Sequence, residues 1–217
     1  MKVQEKQLVP QLCNRTLIYL PIIHTQEDMG SFSESIRQAT LKKFGEQVWK
    51  QKTRLINEVW GEIDRLVSGL DLKGDTIRLY QDGLPVCGRE LEIVTEVAES
   101  GSLNHQILLR LVEKGAILMG TESPELLLEE YELAKQTLSS NNIGEIRPLK
   151  TSQNEMRETL LRRRDRSIAE RINSTLAKGE TGIIFLGLLH SLDSLLDSDI
   201  LVRFPLFKPP NKNKVQK

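Results

Sequence analysis

The segment GIIFLGLLHSLDSLL, residues 182–196, decides the fold class of this chain. Its apolar run from Ile183 to Leu189 predicts a buried strand, and the run ends in His190. A second apolar run, about Thr16 to Ile23, is rich in β-branched and aromatic residues and ends in the same way at His24. Two of the three histidines in the chain therefore follow predicted strands.

Helical periodicity separates these strands. Apolar residues recur at three- and four-residue spacing from Glu46 to Leu70, which predicts a long amphipathic helix. Ser152 and Glu155 form a capping-box pattern for a helix that extends to about Lys178. Further helices are predicted over residues 32–44, 90–99 and 103–113 and from Pro124 onward. Further strands are predicted at residues 76–80, in AILMGTES and in DILVRFPLF. The last of these strands follows a short helical turn predicted in SLDSLLD. This alternation predicts an α/β fold, a single layered domain whose mostly parallel central sheet of four to five strands is flanked by helices.

Composition excludes several classes of protein. The chain has 217 residues, of which 39% are hydrophobic and 28% charged, as in a globular domain with a sizeable core. Lysine and arginine balance aspartate and glutamate at 30 each, so no global field attracts nucleic acid or an anionic membrane. No segment reaches the roughly 20 apolar residues that a membrane span needs.

Three regions are expected along the chain. Residues 1–14 form a polar N-terminal extension, residues 15–207 the α/β domain, and residues 208–217 a basic, proline-containing tail that we expect to be disordered. Two cysteines, Cys13 and Cys87, and the lack of a secretory signal predict free thiols in a reducing cytoplasm.

The strand ends carry the residues of chemical interest. Besides His24 and His190, the second strand ends at Asp82 and the third at Glu122. Ligands of open parallel sheets bind outside the carboxyl ends of the strands, so we expect these side chains to converge. Imidazoles and carboxylates are ligands for zinc, manganese, iron or cobalt, and two histidines with one carboxylate leave open positions for water activation. In the metal-free alternative, a histidine acts as general base and a glutamate orients it.

Each of these residues also has a structural interpretation. Asp82 before Gly83 is typical of a plain turn, and Glu122 is typical of a carboxylate favoured by a helix N-terminus. We interpret His105, near the start of a helix, as structural. Arg164 and Asp165 fall near the apolar face of the helix that follows Ser152, so they either pair within that face or face a polar site.

The order of these features resembles the TIKI/TraB-type superfamily, which includes ChaN-like haem-binding proteins and erythromycin-esterase-like hydrolases. GLLH at 187–190 matches a Gly-x-x-His motif at the end of the second strand of that family. GAILMGTESPEL places Glu122 at its glutamate position, and Arg164-Asp165 occupies its arginine position. PIIH departs from the first motif because Pro21 replaces the glycine, so only His24 matches.

The resemblance implies a metal-dependent hydrolase of a small-molecule or peptide substrate. In that function His24, His190 and Glu122 would bind a divalent Mn, Co, Zn or Fe ion, and Glu122 and Arg164 would be the catalytic pair. Asp82 and Asp165 would be additional site residues. The alternative is a non-catalytic protein that binds or senses haem or another small ligand at the same rim.

One further alternative concerns the long helix from Glu46 to Leu70. Its apolar stripe, with Trp49 and Trp60, could present a homodimer face. Packing of the stripe against the protein's own sheet is the preferred interpretation, because a layered fold needs such a stripe.

Overall fold

The computed structural model describes residues 15–70, 76–139 and 146–209. The predicted N-terminal extension, residues 1–14 with Cys13, and residues 210–217 of the predicted tail lie outside the described residues. The strands are β1 (Arg15–Ile22), β2 (Ile77–Gln81), β3 (Ile117–Met119), β4 (Thr181–Gly187) and β5 (Ile200–Arg203). The helices are α1 (Ser33–Ser68), α2 (Glu90–Glu99), α3 (Leu103–Glu113), α4 (Pro124–Ser139) and α5 (Ile146–Thr175), with a 3-10 helix at Glu27–Phe32.

The strands form one parallel sheet. In the described part of the chain five strands pair in the order β3-β2-β4-β1-β5, and every pairing is parallel. Helices cover both faces of this sheet, as the crossovers between parallel strands require. The α/β fold predicted from the sequence is therefore confirmed. No helix among the described residues is both long and apolar enough to cross a membrane.

Strand β4 is the centre of the molecule, and all of its residues are buried. Ile183 and Phe185 pack with residues of α1, α2 and α3 on one face of the sheet. Ile184 and Leu186 pack with residues of α5 on the other face. The uninterrupted apolar run is thus the consequence of helices on both sides of the strand. Trp60 of α1 belongs to the first of these clusters, and its indole donates to the Ile23 carbonyl at 3.0 Å.

Two helices differ from their predicted limits. Helix α1 is broken at Gly45, whose φ of 82° only glycine adopts readily, so the two predicted helices follow one another at that residue. Helix α5 begins at Ile146, before the predicted capping box at Ser152. Pro148 lies in its first turn, where the missing N–H has no intrahelical partner to lose. The segment SLDSLLD forms a single turn closed by the Leu196 amide on the Leu192 carbonyl at 3.2 Å.

Pro21 shows how a proline fits inside a central parallel sheet. It lies in β1 opposite Leu186 of β4. Strand β5 pairs with β1 only from Arg15 to Ile18, so no strand of the described residues lies beside Pro21 on that side of β1. The missing N–H of Pro21 therefore costs no ladder hydrogen bond, as at an edge strand.

Candidate functional site

Three adjacent strands deliver the central groups of the candidate site. Asp82 follows β2, Gly187 ends β4 with His190 shortly after it, and His24 follows β1. Because the strand order is β2-β4-β1, these carboxyl ends are neighbours. Asp82 lies at the centre: its Oδ2 accepts from the Gly187 amide at 2.9 Å and lies 3.1 Å from His24 Nε2 and 3.5 Å from His190 Nε2.

Gly187 allows this approach because it has no side chain. A Cβ at this position would lie 2.7 Å from Asp82 Oδ2, 3.4 Å from His24 Nε2 and 3.7 Å from His190 Cδ2. The distance of 2.7 Å is shorter than the 3.0 Å below which Cβ atoms in proteins essentially never approach another heavy atom. The glycine of the GLLH motif is therefore the residue against which the carboxylate and both imidazoles pack.

A second carboxylate fixes the orientation of His190. Asp165 Oδ1 lies 2.6 Å from His190 Nδ1, and its Oδ2 accepts from the Ser191 amide at 3.2 Å. His190 is only 6% exposed, and its ring lies between Asp165 on one nitrogen and Asp82 on the other. This pattern, a histidine held by an outer carboxylate, is common in both metal sites and acid–base sites.

Arg164 connects the carboxylates of the site. Its Nε and Nη2 donate to the two oxygens of Glu122 at 2.6 and 2.8 Å, its Nη2 also donates to Asp82 Oδ1 at 2.8 Å, and its Nη1 donates to Glu130 at 2.6 Å. A guanidinium has five N–H donors, so among the described residues these four bonds leave one donor, on Nη1. The sequence left two interpretations of the Arg164-Asp165 pair, and the structure agrees with the second: both side chains face the polar site.

Glu122 lies on the far side of Arg164 from the imidazoles. Its carboxylate accepts from Arg164 and, at 2.6 Å, from the Gly83 amide. Its backbone joins the loop that follows β2, where its carbonyl accepts from the Val86 amide at 2.9 Å. The carboxylate in contact with His24 and His190 is that of Asp82.

The pKa values of these groups reflect burial and their partners. Burial alone would lower the pKa of His190, but Asp165 and Asp82 outweigh it and raise the pKa to about 9. The pKa of His24 is also raised, since Asp82 outweighs the effect of burial. For Asp82, burial is opposed by both histidines, which hold its pKa well below the usual range. Burial raises the pKa of Glu122 in spite of Arg164. At neutral pH, Asp82 is an anion and His190 a cation.

The polar residues border a cavity of about 960 Å³ above the carboxyl ends of the strands. Its walls are largely apolar, with a few polar groups, among them Asp82, Arg164 and Arg157. Representative lining residues are Ile22, Phe32, Val97, Leu127, Leu161 and Leu188. Such a volume, mainly apolar with a few convergent polar groups, is typical of small-molecule sites.

Two imidazoles and a carboxylate are of the right chemistry for a divalent transition metal. In the described residues, however, no group of three or more His, Cys, Asp or Glu side chains is arranged to hold one. The Nε2 atoms of His24 and His190 face Asp82 Oδ2, while Arg164 holds Glu122. The donors therefore fit a metal chemically, and a bound ion would replace their present contacts with Asp82.

His105 lines the cavity next to the N-terminus of α3. Its Nδ1 lies 2.8 Å from Ser102 Oγ and 3.4 Å from Asp28 Oδ1, and Ser102 is the N-cap of α3. Glu130 and Arg157 also line the cavity. Neither residue stands out in the sequence, because both lie in ordinary charged helical segments with no distinguishing motif.

Comparison of the chain with protein-family models, with curated proteins and with solved structures found no match. The resemblance to the TIKI/TraB-type superfamily therefore stays a prediction from the sequence motifs.

Proposed function

We propose that this protein is a hydrolase with its reactive centre at His24, Asp82 and His190. The observation that carries the proposal is that two imidazoles share one buried carboxylate oxygen beside a large cavity. The two rings differ in environment, since the side chain of His24 is 32% exposed and that of His190 5% exposed. Two titratable groups in unequal surroundings are the usual basis for separate acid and base roles.

The proposed base is His24. When Asp82 accepts from Nε2–H, the basic nitrogen of the neutral ring is Nδ1. Nδ1 takes a proton from water, whose oxygen forms a bond to the carbonyl carbon of an ester or amide. Asp82 stabilises the resulting imidazolium, as the carboxylate does in an Asp–His pair.

The proposed acid is His190. Its pKa of about 9 keeps it protonated at neutral pH, so it can donate a proton to the leaving group as the bond to the carbonyl carbon breaks. The remaining N–H of Arg164 is available for the carbonyl oxygen, while its other donors hold Asp82 and Glu122 in place. Glu122 thus acts in this proposal by positioning Arg164.

The proposal includes a metal-dependent form of the reaction at the same residues. His24 and His190 would hold the ion, with Glu122 as the carboxylate predicted from the resemblance and Asp82 as the one nearest to both rings. A bound divalent ion would supply a water of lowered pKa. Since His190 is protonated at neutral pH, metal binding would release protons and strengthen as the pH rises.

The test is hydrolysis of a panel of acyl esters by the purified protein, with and without a chelator. His24→Asn and His190→Asn are expected to lower kcat by about 10² to 10⁴, the usual contribution of an acid or base. His105→Asn is the matched control, because His105 lines the same cavity but contacts Ser102 and Asp28. Full activity in His24→Asn would contradict the proposal.

Two further measurements separate the forms of this reaction. Metal analysis of the native protein is expected to give about one equivalent if the reaction is metal-dependent, and the double histidine variant should lose it. In the metal-free form the activity should rise with pH as His24 loses its proton and fall as His190 loses its proton near pH 9. Chelation should then leave kcat unchanged.

The second candidate is a protein that binds a small ligand at the same rim without turnover. The volume of the cavity and its apolar walls favour this function independently of any reaction. Haem is the ligand predicted from the resemblance, with a histidine as axial ligand. Reconstitution with haem should then give an absorption band that His24→Asn or His190→Asn shifts or abolishes, whereas an unchanged haem spectrum would count against it.

We also propose that the protein acts in a reducing cytoplasm. Cys87, the cysteine within the described residues, is a free and exposed thiol. We further propose a homodimer through α1, because Phe44, Val48 and Leu55 are exposed on that helix. Sedimentation of the purified protein tests this association, and a strict monomer would contradict it.

A further inference from the structure

We infer that the cavity binds an elongated apolar ligand with an anionic group at one end, held by Arg157. The inference rests on the proposed function for the other end of the ligand, where a hydrolysable carbonyl would lie beside His24 and His190. It names a substrate class: acyl esters or amides whose chain ends in a carboxylate or similar anion.

Helix α5 supplies the length of the site. Arg157, Leu161 and Arg164 all line the cavity, and their four- and three-residue spacing places them on one face of the helix. The seven residues from Arg157 to Arg164 rise by about 10 Å, at roughly 1.5 Å per residue. The backbone positions of the two arginines are therefore separated along the wall by about the length of a medium acyl chain.

The wall between the two arginines is apolar. Leu161 lies between them on α5, and Leu127 and Ala134 face the same cavity from α4. Phe32 and Tyr131 contact each other with ring centroids 4.8 Å apart, and both line the cavity. A chain of methylene groups suits such a wall, since burial of each methylene group against apolar side chains contributes favourably to the free energy of binding.

Arg157 differs from its neighbours in its charge pairing. Arg163 forms an ion pair with Glu129 and Arg164 with Glu122, whereas Arg157 donates to the neutral Thr137 hydroxyl at 2.9 Å. Within the described ranges, no carboxylate pairs with Arg157. Among the residues that the structure describes, its guanidinium thus has donors and a positive charge left for an anion, the group that a planar guanidinium recognises best.

The chain length follows from these distances. An extended backbone advances about 3.6 Å per residue, or roughly 1.2 Å per bond, so about nine bonds span the distance between the arginines. The mono-4-nitrophenyl ester of decanedioic acid has this length between its two carbonyl carbons. Its neutral counterpart is 4-nitrophenyl decanoate, which has the same chain without the terminal charge.

The first experiment measures binding, which needs no turnover. Calorimetry of the full-length protein with decanoate and with 1-decanol should give about five-fold tighter binding of the anion. Arg157→Gln should remove this difference. Arg162→Gln is the matched control, because Arg162 lies on the same helix and also donates to a threonine hydroxyl, that of Thr159 at 3.1 Å, but does not line the cavity. Unchanged affinity for decanoate in Arg157→Gln would overturn the inference.

The second experiment measures kcat/KM for the two nitrophenyl esters. The wild type should favour the decanedioic monoester about five-fold, and Arg157→Gln should lose that preference. Arg157-dependent binding without cleavage of either ester would support the ligand class and contradict only the hydrolase. Cleavage of both esters with no effect of Arg157 would overturn the ligand class and leave the hydrolase in place.

Discussion

Gly187→Ala is expected to push the Asp82 carboxylate away from both imidazoles. The added Cβ would lie 2.7 Å from Asp82 Oδ2, and ordinary contacts begin at 3.4 Å, so the two atoms must separate by 3.4 − 2.7 = 0.7 Å. This movement is expected to lengthen the distance from His24 Nε2 to Asp82 Oδ2, now 3.1 Å, beyond the hydrogen-bonding range. Overpacking at a buried position also costs about 1–3 kcal/mol of folding free energy.

The pKa of His190 measures this displacement directly. Its value of about 9 depends on both Asp165 and Asp82, and Asp165 at 2.6 Å is not touched by the new methyl group. Weakening of the contact with Asp82 alone should lower the pKa of His190, because Asp82 is one of the two carboxylates that raise it. The expected pKa in Gly187→Ala is therefore between the native value and the ordinary value of a histidine.

The assay is an NMR titration of the His190 ring protons in the native protein and the variant. Gly182→Ala is the control, since its Cβ would meet Leu17 Cδ1 at 2.8 Å in the core of the same strand. It should reduce the free energy of unfolding without changing the pKa of His190. A His190 pKa that stays near 9 in Gly187→Ala would refute the account of this glycine.

Three further predictions concern stability, each measured by urea unfolding. The first concerns His190, whose pKa in the folded protein is raised to about 9. Its contribution to the free energy of unfolding, at most about 3 kcal/mol, is fully present below pH 6.5 and is lost as the pH rises through 9. Stability should therefore fall between pH 7 and 10, and a flat profile would contradict this. Arg164→Met leaves the buried carboxylates of Asp82 and Glu122 without their cation and should cost about 3–5 kcal/mol, whereas a loss below 1 kcal/mol would show that they are compensated elsewhere. Gly61→Ala places a methyl group with no atom within 4 Å inside α1 and should stabilise the fold by about 0.5–1 kcal/mol, and a destabilised variant would contradict the open space there.

Local patterns in the sequence were sufficient for the elements and the fold class. The apolar run of β4 and the three- and four-residue spacing of α1 each predict their element without reference to distant residues. His24 and His190 were recognisable for a similar reason, because each follows a predicted strand directly and strand ends of parallel sheets share one edge. The limits of α5 were less accurate, since a capping-box pattern such as Ser152 and Glu155 also occurs inside helices.

The choice between Asp82 and Glu122 depended on the tertiary structure. Both follow strands, and their sequence surroundings gave no reason to prefer Asp82. The order β3-β2-β4-β1-β5 places Asp82 beside the strands of both histidines and places Glu122 after the edge strand, behind Arg164. Strand order is set by the packing of segments far apart in the chain, and residue periodicity does not record it. The same holds for the cavity, whose wall from Arg157 to Arg164 exists only once α4 and α5 pack together above the sheet.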